Sequence, residues 1–179
     1  MAEQKNGIIH IYNYIYPNNL KSEYFIFNGK KEGEYKEYSF NGKLLYVYNY
    51  KNNNKEGEYK KYYDDGQLEV ICNYKNNTEE GINIVYSKNK EIHLISNHKN
   101  GQINGKFKKY WSNQNLRYEC NYKNGKKEGE YKSYYNNGHL EIICNYRDNE
   151  LDGEYIEYDR YGNLLNIFNY KDGDEINKN

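Results

Sequence analysis

The side chains of this 179-residue chain with the most distinctive chemistry are four histidines, three cysteines and one tryptophan. His10, His93, His98 and His139 would act as metal ligands or general bases if two or more of them met. No pair has the spacing of a helical metal site. His93 and His98 lie five apart in an extended segment, so alternation sends them to opposite faces. Catalysis by a Ser/His/Asp or Cys/His set needs a unique constellation. Here Ser, Cys and His stand at positions that recur along the chain. The glycines open extended segments and not helices, so they form no phosphate loop. The expectation is therefore no catalytic residue, no metal site, no cofactor and no enzyme.

What must position these side chains is a repeat. Gly33, Gly57, Gly81, Gly105, Gly129 and Gly153 follow one another at 24 residues. Tyr14, Tyr38, Tyr62, Tyr86, Tyr110, Tyr134 and Tyr158 keep the same step, as do Leu20, Leu44, Leu68, Ile92, Leu116, Leu140 and Leu164. Such a period sets the fold class before any single residue is read. It divides the chain into an N-terminus without structure (1–8), a degenerate capping repeat (9–32), six repeats (33–56, 57–80, 81–104, 105–128, 129–152, 153–176) and a frayed tail (177–179). In the capping repeat, Ile9, Ile11 and Tyr12 stand for the Gly, Tyr and Lys of later copies, and Pro17 sits at its turn.

One repeat reads as a β-hairpin. Residues 130–135 form a strand, Asn137-Gly138 signals a two-residue type I′ turn, and 140–146 form a β-branched and aromatic return strand. Asn124-Gly125 marks a looser turn to the next hairpin. This register sets Tyr135 against Leu140, Tyr131 against Cys144 and Gly129 against Tyr146, the glycine making room for the ring opposite. Leu140, Ile142, Cys144 and Tyr146 share one face with Tyr135, Tyr131 and Gly129. Glu130, Lys132, Tyr134, Ile143 and Asn145 share the more polar one. The fold class is all-β: tandem 24-residue hairpins in one elongated, twisted antiparallel sheet.

Cys72, Cys120 and Cys144 occupy one place in the repeat, and that place in adjacent repeats lies about 9–10 Å apart across two strands, too far for a disulfide. They read as reduced, half-buried residues in a cytoplasmic setting. Carboxylates that precede the glycines, Glu32, Glu56, Glu80, Glu128 and Asp152, are expected to balance a lysine ladder. Positive and negative side chains are equal at 26 each, so no overall field draws the chain to nucleic acid or anionic lipid. No apolar run is long enough for a transmembrane helix.

The units YKNNNKEGEYKKYYDDGQL (50–68) and YKNGKKEGEYKSYYNNGHL (122–140) resemble the MORN-repeat variant, of pattern Y-K-N-G-K-x-x-G-x-Y-x-x-Y-Y-x-N-G-x-L. The resemblance covers about residues 27–173, and similar repeats occur in giant viruses and in bacterial antitoxin-type proteins. It implies hairpin repeats and a binding role: a protein-interaction scaffold that holds or neutralises a partner protein, in the host cytoplasm in the viral case. The alternative it implies is a peripheral phospholipid-binding module. Nucleic-acid binding ranks below both.

The repeat from Gly81 departs from its neighbours. Its first strand lacks charges, its turn 88–90 lacks glycine, and His98 replaces a tyrosine. Trp111 follows one place after Tyr110, and the equivalent place one repeat earlier is the small Ser87, leaving the indole space to stand clear. Trp111, Tyr110, Tyr86, His93 and His98 are thus the candidate partner-binding residues. The apolar first repeat offers a second surface, either capped by its own residues or pairing edge to edge with another copy as a homodimer.

Overall fold

The computed structural model describes residues 6–14 and 17–176. It is all-β, and no helix occurs among the described residues. The chain divides into two compact units, Met1–Lys90 and Glu91–Asn179.

In the first unit the strands are β1 (Gly7–Tyr12), β2 (Leu20–Phe27), β3 (Lys30–Tyr38), β4 (Leu44–Lys51), β5 (Asn54–Tyr62), β6 (Leu68–Lys75), β7 (Thr78–Glu79) and β8 (Gly81–Tyr86). Each pairs antiparallel with the next in sequence, except that β6 pairs with both β7 and β8. In the second unit β9 (Ile92–Lys99), β10 (Gln102–Tyr110), β11 (Leu116–Lys123), β12 (Lys126–Tyr134), β13 (Leu140–Arg147), β14 (Glu150–Tyr158), β15 (Leu164–Lys171) and β16 (Asp174–Glu175) follow the same simple succession. Tandem antiparallel hairpins are thus the observed architecture.

The hairpin register is as read for Tyr131↔Cys144 and Gly129↔Tyr146. At the turn it differs. Tyr134, not Tyr135, faces Leu140, after a bulge. The Gly138 N–H donates to the Tyr135 carbonyl at 2.9 Å, and Tyr135 N–H to the His139 carbonyl at 2.9 Å. This is a three-residue loop in which only Gly138, at φ +90°, has a positive φ, not a type I′ turn. The two-residue turns with two positive φ values lie instead between hairpins. Asn124 (φ +50°) and Gly125 (φ +80°), expected to be the looser turn, form one; Asn52-Asn53 and Asp148-Asn149 form others.

The repeat glycines also serve a different purpose from the one expected. Gly57 faces Tyr74, yet a Cβ on Gly57 would meet no atom within 4 Å. What it needs is φ +81°, at a bulge where the ladder to the preceding strand skips from Tyr48↔Tyr59 to Tyr50↔Lys55. An L side chain is strained there, and glycine is not.

The first hairpin shifts the repeat frame. Gly7 faces Ile26 and Tyr12 faces Leu20, as Gly33 faces Tyr50 and Tyr38 faces Leu44. Gly7, not Ile9, is therefore the repeat glycine, and Tyr12, not Tyr14, heads the tyrosine ladder. The loop of this hairpin is two residues longer, and Tyr14 stands fully exposed in it. Gly7 and Ile8, expected to belong to an N-terminus without structure, belong to β1. Residues 1–5 and the tail 177–179 lie outside the described residues.

Candidate functional site

Tyrosines reach a stacked arrangement because β-strand neighbours at one repeat position stand side by side. In the first unit Tyr24, Tyr35, Tyr48 and Tyr59 stack at centroid distances of 5.8, 4.7 and 5.6 Å. Lys31 Nζ lies 4.4, 5.1 and 5.0 Å from the rings of Tyr24, Tyr35 and Tyr50. Lys55 repeats this over Tyr48, Tyr59 and Tyr74. In the second unit Phe107, Tyr118 and Tyr131 stack at 5.5 and 5.8 Å, and Lys127 lies 5.1 and 4.6 Å from Tyr131 and Tyr146. The aromatic face thus fills its cation sites with its own lysines. Burial pushes the phenols of Tyr74, Tyr122 and Tyr131 up to about 12.

The cysteines sit on this face and are free and more deeply buried than expected, with Cys144 1% exposed. Burial raises the Cys72 thiol to about 12 and the Cys144 thiol to about 11, the opposite of an activated nucleophile. Among the described residues no three His, Cys, Asp or Glu side chains gather as for a metal ion.

On the polar face the charges pair with each other. Lys36 pairs with Glu34 and Glu23, Lys60 with Glu58, Lys108 with Glu119 and Lys132 with Glu130. The ladder tyrosines join in: the Tyr38 hydroxyl donates to Glu23 at 2.8 Å. The glutamates before the repeat glycines do another job than the one expected. Glu32, Glu56 and Glu128 accept the backbone N–H of Asn52, Asn76 and Asp148, capping the tight turn that leads to the next hairpin. Asp152 pairs as expected, with Arg147 and with Lys171 at 3.0 Å.

The residues singled out from the sequence do not form one group. Tyr86 ends β8 in the first unit, where its carbonyl accepts the Tyr63 hydroxyl at 2.7 Å. It lines an open groove of about 490 Å³ with Asp65, Gly66, Gln67, Leu68 and Lys90. The other four belong to the second unit. His93 is exposed near the start of β9; His98, near its end, is half-buried with Nε2 3.0 Å from Ser96 Oγ. Tyr110 is half-buried at the end of β10. Trp111 does not stand clear. Its Nε1 donates to the Tyr134 carbonyl at 2.9 Å, and the Arg117 guanidinium stacks 4.4 Å from its ring. Tyr63 and Tyr135, at the same repeat position, make the same bond to Tyr86 and Tyr158. The indole therefore joins successive repeats as those tyrosines do.

A group that sequence reasoning missed lies in the first hairpin. Ile8 faces Phe25 across β1 and β2, and with Glu23, Tyr24, Glu34 and Lys36 they line a cavity of about 330 Å³. Ile8, Phe25 and Phe27 are 68%, 37% and 50% exposed. Later repeats carry Glu, Asn and Lys at these places: Glu130, Asn145 and Arg147 or Lys123. An apolar patch thus interrupts the polar face. Phe25 and Phe27 stand one 24-residue step before Asn49 and Lys51 and are legible as such, whereas the two-residue frame shift of β1 is what sets Ile8 against Phe25.

No match was found among curated proteins. The family model of the MORN repeat variant matches residues 31–52, 55–76, 103–124, 127–148 and 151–172, together more than half of the chain. It passes over the first hairpin and over the segment around β8 and β9, where the repeat is rewritten. With five matched copies carrying the hairpins described above, the chain belongs to the MORN repeat variant family.

Proposed function

We propose that this chain is a non-enzymatic protein-interaction scaffold that binds a partner protein through the apolar patch Ile8, Phe25 and Phe27. The observation that carries this reading is the contrast on the polar face. There Lys36, Lys60, Lys108 and Lys132 pair with glutamates, while large apolar side chains stand exposed together on the first hairpin. Apolar groups ringed by polar ones mark protein contact sites. The cavity between Ile8 and Phe25 has the size for one aliphatic or aromatic anchor of a partner, set beside Glu23 and Glu34. Contact with phospholipid or nucleic acid is less well supported, because Lys31, Lys36, Lys55, Lys60, Lys108, Lys127 and Lys132 are held in rings or ion pairs.

The test compares wild type with a Phe25→Asn, Phe27→Lys variant, which restores what later repeats carry and so keeps the strand. Affinity capture from native lysate should yield a stoichiometric protein with wild type and not with the variant. A protein lost instead in a Trp111→Ala, His98→Tyr variant would move the site to the central repeats. Flotation with anionic liposomes and no captured protein would replace the scaffold by the membrane reading.

A further inference from the structure

Strand β1 differs from the charged strands of its kind in what it lacks. After the repeat glycine, β3 carries Glu34, Lys36 and Glu37; β5 carries Glu58, Lys60 and Lys61; β12 carries Glu130 and Lys132. At the same places β1 has Ile8, His10 and Ile11, with Ile9 where those strands have tyrosine. Among the described residues no strand lies against its outer edge. An open edge is ordinarily blunted by charge, proline or a bulge, and β1 has none of these between Ile8 and Ile11. Ile8, Ile11 and Tyr12 are 68%, 41% and 53% exposed.

The chain shows what such a strand is met by. β8 is likewise uncharged from Gly81 to Tyr86, and β6 meets it with apolar residues, Val70 against Val85 and Ile71 against Ile84. Charged strands of this chain take either kind of neighbour, Lys36 facing Glu23 on one side and Val47 on the other. With no charge of its own to be answered, the outer edge of β1 removes most apolar surface from water against an apolar strand, as β8 does against β6.

We propose that this strand is β1 of a second copy, paired antiparallel about a two-fold axis through His10. In that register Ile9 faces the Ile11 of the second copy and Ile8 faces its Tyr12, each pair occurring twice. The strand is self-complementary, with Ile9 and Ile11 on one face and Ile8, His10 and Tyr12 on the other. A two-fold axis perpendicular to the sheet keeps each face with its like, which is the condition for an isologous interface. Only His10 meets itself, and each imidazole has Glu23 Oε2 3.7 Å from its Nε2. The balanced net charge leaves no long-range repulsion between copies. The pairing also sets the two Ile8–Phe25 patches on one continuous face, so the dimer is a bivalent scaffold.

The experiment is light scattering on the full chain over rising concentration to the submillimolar range. Wild type is compared with an Ile8→Glu, His10→Lys, Ile11→Glu variant. This variant has the charge pattern of β3, a strand this chain forms, and at the axis it sets two ammonium groups against each other. The expected result is a wild-type mass that rises toward twice the monomer, and a variant that stays monomeric with unchanged circular dichroism. On wild type alone, amide exchange of residues 8–12 should slow as concentration rises. A wild-type monomer throughout, or a variant that still dimerises, overturns the inference. The Phe25→Asn, Phe27→Lys variant leaves the β1 edge intact and should dimerise normally. Loss of a captured partner and loss of the dimer are therefore read separately.

Discussion

Replacing Trp111 by phenylalanine and, separately, by tyrosine measures one bond between repeats. The indole makes three contributions: ring contact, the Arg117 stack at 4.4 Å and the 2.9 Å bond from Nε1 to the Tyr134 carbonyl. Both substitutions shrink the ring alike and weaken the stack alike. Phenylalanine also removes the donor, whereas tyrosine replaces it, since Tyr63 and Tyr135 reach the equivalent carbonyls at 2.7 and 3.0 Å from this position. The shared loss of ring area and cation contact is about 1–2 kcal/mol. The difference between the variants is the net worth of one half-buried neutral hydrogen bond, about 1 kcal/mol. For a chain of this size that separates the melting temperatures by about 2–4 °C, tyrosine above phenylalanine. Urea unfolding followed by far-ultraviolet circular dichroism gives the comparison without relying on indole fluorescence. Equal midpoints for the two variants would refute the assignment of the indole as an inter-repeat link. Wild-type stability in both, with partner capture lost, would return Trp111 to a recognition role.

Lys90 and Gln114 hold φ +65° and +66° at the loop position that Gly42, Gly66, Gly138 and Gly162 fill elsewhere. Lys90→Gly and Gln114→Gly should each stabilise the fold by about 0.5–1 kcal/mol, strain relief exceeding the added freedom of the unfolded chain; lower urea midpoints would contradict this. Gly57→Ala should cost about 1 kcal/mol although its Cβ meets nothing within 4 Å, because φ +81° and not space demands the glycine; an unchanged midpoint would count against it. Thiols and phenols raised to about 11–12 stay protonated in the folded chain where the unfolded chain ionises, from about pH 8.5 for cysteine and pH 10 for tyrosine. The unfolded state then binds fewer protons, so stability is complete below about pH 8.5 and falls as pH rises toward 12. Phenolate absorbance should appear together with loss of the strand circular dichroism signal; smooth titration near pH 10 with the signal intact would oppose it.

The sequence by itself determined the repeat. A 24-residue step in glycine, tyrosine and leucine leaves a chain of hairpins as the only economical reading, and side-chain alternation then separates an aromatic face from a charged one. Tyr131 against Cys144 and the inter-repeat stacking of rings follow from that period. Tertiary structure decided what local pattern leaves degenerate. Asn137-Gly138 and Asn124-Gly125 are the same dipeptide, yet only the second is a two-residue turn, because strand pairing on either side sets how many residues each loop must span. Glu56 is one carboxylate among many until the return strand β6 brings the Asn76 amide to it. Trp111 looked free beside a small residue one repeat earlier, but its acceptor lies one repeat later, at Tyr134. The first hairpin shows the limit most plainly. Two extra loop residues move Gly7 into the place assigned to Ile9, and only the observed pairing of Gly7 with Ile26 sets Ile8 directly opposite Phe25 on the polar face. Loop length costs little free energy, so a chain can shift its frame there without leaving a mark in its periodicity.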